Sequence, residues 1–262
     1  MNITSRDNSL LCRARAVRDG RDEKSIFVEG LRLCEEALRS GLEIEVVVYS
    51  EQIAKKKRAA ELIRELERVA SKSGTVNEKL LASIAYTKTP QGVVVLAARP
   101  SITEKEFKRR QPANPLLMIL HGINNPVNVG AIVRTAEAAG ATGVVTTAGT
   151  ADPFSPKSLR GAMGSAFRLP FWVGEDYPQV IKWCRQQRIQ IVCASAEGAE
   201  SYTEIDWRRP TALVMGSESH GLTTDEISAA DRAVSIPMKG STESLNVAVA
   251  AGILLYEASR QR

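Results

Sequence analysis

The chain has 262 residues, of which 44% are hydrophobic and 25% are charged, and its formal net charge is +5. Such a chain is long enough for one large or two modest hydrophobic cores. Its longest apolar runs, such as residues 116–120, are too short to span a bilayer, and its first residues carry no signal-peptide core, so we expect a cytoplasmic protein without a membrane partner.

The cysteines and histidines are too scattered to form a metal site. No CxxC, HxxxH or HExxH spacing occurs, so the sequence predicts that the protein binds no metal. We expect the cysteines to be buried thiols of a reducing compartment, because free cysteine behaves as a small hydrophobic residue. The chain has four cysteines and two histidines, namely Cys12, Cys34, Cys184, Cys193, His121 and His220.

Positive charge is concentrated in the first part of the chain. Residues 1–113 carry 22 basic and 16 acidic side chains, whereas residues 114–262 carry 13 and 14. This asymmetry favours a module that contacts a polyanion beside a nearly neutral module with a different task. A solvated basic face without a partner is the alternative that composition leaves open.

Residues 1–98 are predicted to form a small α/β sandwich domain. Apolar residues at three-to-four spacing in residues 55–70 indicate an amphipathic helix, whose basic start at 55–58 is expected to be solvated. In chain order the predicted elements are a strand at 25–30, a helix at 31–40, a strand at 45–49, a helix at 55–70, a strand at 76, a helix at 78–84 and a strand at 92–97.

Residues 99–114 combine proline and charge without apolar periodicity, which is typical of a linker. Residues 115–262 alternate short apolar runs with helical patterns, which predicts a doubly wound parallel sheet whose ligand lies beyond the carboxyl ends of the strands. The predicted strands are 116–120, 143–147, 190–195, 212–215 and 233–236, and the predicted helices are 129–139, 177–188, 225–230 and 245–261.

Three segments follow these strands: NPVNVGAIVRTA at 125–136, MGSESHGL at 215–222, and IPMKG at 236–240 continuing to SLNVAVA at 244–250. In this order they resemble motifs 1, 2 and 3 of the SpoU family of SPOUT-superfamily methyltransferases, and the resemblance covers residues 114–262. Residues 152–164 also resemble this family. Residues 27–30 and the following helix resemble, more weakly, its ribosomal-protein-like RNA-binding domain.

The resemblance implies a parallel-sheet domain tied in a deep trefoil knot that binds S-adenosylmethionine in a bent form, mainly through backbone groups of its loops. Because knots are very rare among protein folds, the knot is implied by the resemblance and not by periodicity. The residues that the resemblance assigns to the cofactor are Thr146, Thr147, Ala148, Gly149, Met215, Gly216, Ser217, Gly221, Ile236, Pro237, Met238, Ser244, Leu245 and Asn246.

The resemblance also implies the catalytic residues. It assigns Arg134 to the ribose hydroxyl, and it assigns the positioning of RNA, Arg134 or cofactor to Asn128, Glu218, Ser244 and Asn246. Residue Asn125 stands where the family often has Asp, which bears on the supporting contacts and not on the reaction. Because Arg134 lies six residues after Asn128 on one predicted helix, both are expected to face the crevice at the strand ends.

The residues read alone are compatible with a purely structural role. Gly216 and Gly221 bracket a polar turn where a ligand can approach the backbone, but many α/β proteins have glycines at strand ends. Ser244 and Asn246 lie at a predicted helix start, where such side chains usually cap free amides. A hydrolase nucleophile elbow at 217–221 lacks its leading glycine, and His220 and His121 are expected to be a loop residue and a packed strand-end residue.

The sequence therefore predicts an S-adenosylmethionine-dependent RNA 2′-O-ribose methyltransferase that acts on ribosomal RNA, with a transfer RNA 2′-O-methyltransferase as one alternative. A family member that binds RNA but has lost methyl transfer is another alternative, and a small-molecule hydrolase is a weaker one. The resemblance also implies a homodimer through motif 1 and the last helix. The apolar stripe of that helix suits a dimer interface and an intrachain core equally. It consists of Val247, Ala250, Ala251, Leu254, Leu255 and Ala258.

Overall fold

The computed structural model describes residues 1–196 and 198–262 of the chain. Its helices are α1 (Ser9–Arg18), α2 (Leu31–Arg39), α3 (Glu51–Ala54), α4 (Lys57–Val69), α5 (Glu78–Ile84), α6 (Glu104–Arg110), α7 (Pro126–Ala138), α8 (Pro156–Ala162), α9 (Ser165–Arg168), α10 (Tyr177–Gln186), α11 (Thr224–Ser228) and α12 (Val247–Gln261). Its strands are β1 (Ser25–Glu29), β2 (Ile44–Ser50), β3 (Lys72–Val76), β4 (Val93–Ala98), β5 (Leu116–Leu120), β6 (Gly143–Thr147), β7 (Phe171–Glu175), β8 (Gln190–Ala194), β9 (Glu200–Ser201), β10 (Thr211–Met215) and β11 (Arg232–Ser235). Two compact units result, Met1–Pro100 with Phe154–Arg168, and Ser101–Pro153 with Leu169–Arg262.

The first unit contains a mixed sheet with the strand order β1-β4-β2-β3. Strand β4 pairs antiparallel with β1 and β2, and β2 pairs parallel with β3. Every predicted element of this region is present, with ends shifted by a few residues. Helices α1 and α3 were not predicted, although Leu10, Leu11, Ala14 and Val17 form the buried stripe of α1 and give a readable helical pattern.

The segment Phe154–Arg168 belongs to the first unit, although it lies inside the range 115–262 predicted as one domain. Phe154 is buried, and the Arg99 guanidinium lies 4.8 Å from the centre of its ring. Arg168 forms an ion pair with Glu36 at 2.5 Å. Gly164 has φ +97°, and an added Cβ would lie 2.8 Å from the Glu36 carboxylate. The segment is thus held by α2 and by the residue that follows β4.

The second unit contains a sheet with the strand order β7-β6-β5-β10-β8-β11-β9, in which every described pair is parallel. Strands β5, β6 and β10 are buried along their whole length, as expected for the centre of a parallel sheet covered on both faces. The predicted α/β class and the predicted strands are confirmed. The prediction missed β7 because this edge strand is interrupted by Gly174, which has φ +84°, and it missed the two-residue β9.

The predicted linker at 99–114 is wrong in part, because it contains α6. Thr103 caps this helix, and Phe107 is fully buried between Trp172 and Trp183, with ring centroids 6.1 and 5.8 Å away. Gly143 is required beside it, since an added Cβ would lie 2.7 Å from the Phe107 ring. A single aromatic residue in a charged stretch supplies no periodicity, which explains the missed helix.

Three smaller expectations are corrected. The predicted helix at 245–261 begins at Val247, with Asn246 as its cap, and the helix at 55–70 begins at Lys57. Cys34, Cys184 and Cys193 are buried free thiols, but Cys12 is exposed. Among the described residues, no helix is both long and apolar enough to cross a membrane.

Candidate functional site

The carboxyl ends of β5, β6 and β10 meet at one edge of the parallel sheet. Strand β10 lies between β5 and β8, although β8 precedes it in the chain, so the strand order changes direction beside β5. Ligands of open parallel sheets bind beyond the carboxyl ends at such a point. The loops that leave this edge are 121–125, 148–153 and 216–223, joined by 236–246 after β11.

Glu218 joins the loop after β10 to the start of α7. Its carboxylate accepts hydrogen bonds from the backbone N–H groups of Asn124 (3.1 Å) and Asn125 (3.2 Å), and from Nδ2 of Asn128 (2.9 Å). Burial acts to raise the pKa of Glu218, but the Asn128 side chain and the backbone N–H groups outweigh it, so the pKa lies below its ordinary value. Glu218 is therefore an ionised acceptor at neutral pH.

Asn128 also links Glu218 to the start of α12. Its Oδ1 accepts a hydrogen bond from Nδ2 of Asn246 at 3.3 Å. Asn246 in turn caps α12 with its Oδ1, which accepts from the N–H groups of Ala248 (2.9 Å) and Val249 (3.4 Å). The chain of bonds from Asn246 to Asn128 to Glu218 takes one residue from each of the three motif-like segments. This is the main tertiary result that spacing alone does not give.

The loop at 216–221 is closed by its own backbone. The Gly221 N–H donates to the Ser217 carbonyl at 2.9 Å, and Gly221 has φ +64°. A Cβ added at Gly216 would lie 2.6 Å from the carbonyl carbon of Gly221. No L side chain fits there, so Gly216 is required for loop closure, whatever ligand the loop receives.

The predicted cofactor residues occupy two kinds of position. Those at strand ends or inside the loop closure are buried, namely Thr146, Thr147, Met215 and Gly216. Those exposed or partly buried in the loops are Ala148, Gly149, Ser217, Gly221, Ile236, Pro237, Met238, Ser244, Leu245 and Asn246. The second group can present backbone amides and carbonyls to a ligand. The backbone of Gly149 is open to a ligand, because this residue has φ +83° and a Cβ added to it would have no atom within 4 Å.

The two threonines differ from this pattern because their hydroxyls are already bonded. Oγ1 of Thr147 lies 2.7 Å from Nδ1 of His121, and Oγ1 of Thr146 accepts from the Gly174 N–H at 3.3 Å. A direct role in binding a ligand would require these bonds to rearrange. Of the residues that follow them, Ala148 donates its backbone N–H to the Glu175 carbonyl at 2.9 Å, whereas Gly149 makes no backbone hydrogen bond among the described residues.

Arg134 and Ser244 are not joined to the Glu218 cluster. Arg134 is exposed and, within the described part of the chain, makes no hydrogen bond or ion pair. Six residues at about 100° each place it about 120° around α7 from the buried Asn128, so the two side chains do not share one face. Ser244 is likewise exposed and has no hydrogen bond among the described residues.

Sequence reasoning missed a second polar cluster, centred on His121. The His121 ring bonds Thr147 through Nδ1, and its Nε2 lies 2.9 Å from Oε1 of Glu226. It also packs on Tyr177 with ring centroids 4.4 Å apart. The one available signal was the Thr223-x-x-Glu226 spacing, which forms a capping box on α11. His220, in contrast, is an exposed loop residue, as expected.

Among residues 1–196 and 198–262, no group of three or more His, Cys, Asp and Glu side chains lies close enough to hold a metal ion. The polar groups described at the sheet edge are amides, hydroxyls, the His121 imidazole and the carboxylates of Glu218 and Glu226, which are bonded to neighbouring residues. This arrangement can hold loops in place and leave backbone groups exposed to an organic ligand.

Residues 115–256 match the SpoU rRNA Methylase family, and residues 13–95 match the MRM3-like substrate binding domain. An uncharacterised tRNA/rRNA methyltransferase of Synechocystis is 33% identical over 100% of this chain and 94% of its own length. A 23S rRNA (guanosine-2′-O) methyltransferase of Bacillus subtilis is 31% identical over 88% of this chain and 87% of its own length. The crystal structure of an AdoMet-bound rRNA methyltransferase from Sinorhizobium meliloti has a TM-score of 0.87 and 32% identity, covering 99% of this chain and 97% of that one.

Proposed function

This chain belongs to the SpoU rRNA methylase family, and on that premise we propose that it is an S-adenosylmethionine-dependent RNA 2′-O-ribose methyltransferase that acts on ribosomal RNA. The Bacillus relative is named for this reaction on 23S rRNA, and the Sinorhizobium structure is described as AdoMet-bound. The observation in this chain that supports the proposal is the cluster of Asn128, Glu218 and Asn246, one residue from each motif-like segment.

S-adenosylmethionine supplies an activated methyl group, so the protein has to hold the ribose 2′-hydroxyl in line and handle its proton. In this proposal, backbone groups at Ala148–Gly149, Gly216–Ser217, Ile236–Met238 and Leu245 hold the cofactor. The exposed loops and the open space at Gly149 fit that role. Glu218, Asn128 and Asn246 act by fixing the two loops against α7 and α12, and Ser244 lies in the second loop.

Arg134 is proposed to orient the ribose hydroxyl and an adjacent RNA phosphate. Its guanidinium is exposed and uncommitted within the described residues, so the five N–H donors of its fixed fork are available to an incoming anion. The 120° offset from Asn128 means that Arg134 and the Glu218 cluster contact different parts of the bound molecules. RNA binding, and not the free protein, would bring Arg134 to the reacting group.

Single-turnover methylation of 23S rRNA transcripts, with cofactor and RNA saturating, tests this role. We expect Arg134→Ala and Arg134→Lys to lose about a hundredfold to a thousandfold in rate while keeping cofactor affinity. Arg109→Ala removes another exposed arginine of the same unit and is the matched control. Transfer by Arg134→Ala within threefold of the parent would contradict the role and direct attention to Glu218 as the proton acceptor.

The first unit is proposed to bind the RNA, since it matches a substrate-binding domain and the first part of the chain has the positive excess. Mapping 2′-O-methyl groups in cells with and without the gene identifies the substrate. Loss of one 23S rRNA position is the expected result. Loss of a tRNA position would support the alternative substrate, and RNA and cofactor binding without any lost position would support a catalytically silent protein. We also propose that the protein works in the cytoplasm, where ribosomes are assembled.

A homodimer is proposed through α7 and α12, which pack against each other with Gly252 beside Thr135. Ala251, Leu254, Leu255 and Ala258 of the predicted stripe are buried within the chain, so the core accounts for most of it. The outer face is still apolar, with Val127, Val249 and Tyr256 exposed by 47, 52 and 56%. Such exposed apolar residues favour a partner surface. Light scattering tests this, with Val249→Glu expected to give a monomer.

The trefoil knot is a proposal that strand order supports. Strand β11 lies beyond β8 and β10 from β5, yet the chain that leaves it forms α12, which packs on α7, the helix that follows β5. The segment 236–246 therefore returns across the carboxyl edge of the sheet. A knot would give slow refolding compared with an unknotted α/β domain of this size, measurable by double-jump refolding from denaturant.

A further inference from the structure

We propose that His121 is a positioning residue whose protonation state sets the hydrogen bonding at the end of β6 and thereby the affinity of the site for S-adenosylmethionine. This inference rests on the proposed function. Its basis is the location of His121, whose backbone N–H donates to the Met215 carbonyl at 2.9 Å, between the loop that follows β6 and the loop that follows β10.

The His121 ring contacts three elements of the second unit, namely strand β6 and the helices α10 and α11. Nδ1 contacts Thr147 of β6, Nε2 contacts Glu226 of α11, and the ring face lies on Tyr177 of α10. The Tyr177 hydroxyl donates to the Glu226 backbone carbonyl at 3.2 Å, which fixes α11 a second time. Helix α11 directly follows the loop at 216–223, so the ring holds both loops at once.

The proton positions follow from the partners. Glu226 already accepts the Thr223 N–H with its other oxygen at 2.7 Å, and an ionised carboxylate only accepts, so Nε2 of His121 carries a hydrogen. In the neutral ring Nδ1 then accepts from the Thr147 hydroxyl. In the imidazolium ring Nδ1 donates to that hydroxyl, whose own hydrogen must turn elsewhere. The Ala148 carbonyl oxygen, 3.5 Å from Oγ1 of Thr147, is the acceptor in reach.

Protonation therefore has two consequences at the proposed cofactor loop. It turns the Thr147 hydroxyl toward the Ala148 carbonyl, which competes with any ligand donor for that oxygen. It also adds a positive charge close to a site that has to accept a sulfonium ion. Both effects weaken the binding of S-adenosylmethionine in acid, whereas the product S-adenosylhomocysteine lacks the sulfonium charge and experiences only the first.

The other titratable groups around the ring do not change charge in the same pH range. Burial raises the pKa of Tyr177 above its usual range. Burial also acts to raise the pKa of Glu226, but the Thr223 N–H and the His121 bond outweigh it and hold the pKa below its ordinary value. Cys193 of β8 interacts with Tyr177 electrostatically, and burial raises its pKa to about 11. Tyr177, Glu226 and Cys193 therefore do not account for a pH dependence of binding near neutrality.

The test is calorimetric titration of the full chain with S-adenosylmethionine and S-adenosylhomocysteine between about pH 5.5 and pH 8, in buffers of different ionisation enthalpy. We expect affinity for S-adenosylmethionine to fall about fivefold or more on acidification, S-adenosylhomocysteine to lose less, and protons to be released on binding. Because the chain has two histidines, His220→Gln is the matched control and should keep this proton release.

His121→Gln should abolish both the proton release and the pH dependence. Persistence of either in His121→Gln, or their loss in His220→Gln, would overturn the inference. Should His121→Gln fail to fold, Glu226→Gln removes the neighbouring charge and leaves one amide oxygen for two donors, Thr223 and His121. Both changes disfavour the protonated ring, so the variant should move the proton release to lower pH. Binding without pH dependence contradicts this inference alone, whereas absence of binding at every pH contradicts the proposed function.

Discussion

The loops at 216–223 and 236–246 are both expected to hold the cofactor, but they are built differently. In the first loop the backbones of Gly216 and Gly221 lie in close contact, and Glu218 anchors the loop to the start of α7. The second, before Asn246, makes no hydrogen bond within the described residues, and Pro237 and Met238 are exposed. One loop is therefore organised before a ligand arrives, while the other has a fixed end and no internal support. Substitutions in the first should alter folding and binding together, and those in the second should alter binding alone.

The largest expected effect is that of Gly216→Ala. An added Cβ lies 2.6 Å from Gly221 backbone, so the loop has to open, which costs about 1 to 3 kcal/mol in free energy of unfolding and at least about tenfold in cofactor affinity. Gly240→Ala in the second loop is the control, since nothing lies within 4 Å of its added Cβ. Denaturant unfolding and calorimetry measure the two quantities. Equal effects of both substitutions would remove the distinction between the loops.

Glu218→Gln should have the next largest effect, because an amide presents only one oxygen to donors that now share a carboxylate. We expect the free energy of unfolding at pH 7 to fall by about 1 to 2 kcal/mol. The fall is limited to this size because the Glu218 side chain is exposed to water. Glu243→Gln, exposed and unbonded among the described residues of the second loop, should be neutral.

The Glu218 effect should depend on pH. The folded pKa lies below the unfolded one, so the stabilisation is present above the unfolded pKa and is lost as the pH falls through the folded pKa. Parent and Glu218→Gln should therefore converge in stability only as the pH falls through the folded pKa, which lies below the ordinary value of a glutamate. A constant difference from neutral pH to acid would show that the lost stability comes from packing and not from the carboxylate.

Asn246 tests the fixed end of the second loop, with a smaller expected effect. Asn246→Asp keeps the α12 cap but removes the Nδ2 donor to Asn128, so stability should hold while cofactor affinity falls. Asn246→Ala removes both contacts and should lower the free energy of unfolding by about 1 kcal/mol. If the two variants are equally stable, capping is not what anchors the loop.

Met238→Ala should have the smallest effect on stability. The side chain is 38% exposed in an unsupported loop, so the free energy of unfolding should change by less than about 0.5 kcal/mol. Cofactor affinity should still fall several-fold if the loop contacts the ligand. Thermal unfolding and calorimetry on one preparation give both values, and a stability loss without an affinity loss would reverse the assignment.

The sequence by itself determined the α/β class, five of the seven strands of the second sheet and the positions of the three motif-like segments. These features depend on neighbouring residues, because apolar runs, helix periodicity and caps are short-range properties of the chain. The local role of Asn246 as a cap was readable for the same reason. The missed helix α1 had a readable stripe as well, whereas α6 depends on a single buried phenylalanine.

Only the tertiary structure decided which distant residues meet. Glu218 lies 90 positions from Asn128, and His121 lies 26 and 105 positions from Thr147 and Glu226. It also assigned Phe154–Arg168 to the first unit. The separation of Arg134 from Asn128, in contrast, follows from helix periodicity and could have been predicted from their spacing. The contacts between distant residues follow from the insertion of β10 between β5 and β8, which local patterns do not encode. A polar side chain in a sequence shows what it can bond, and the fold selects the partner that burial leaves within reach.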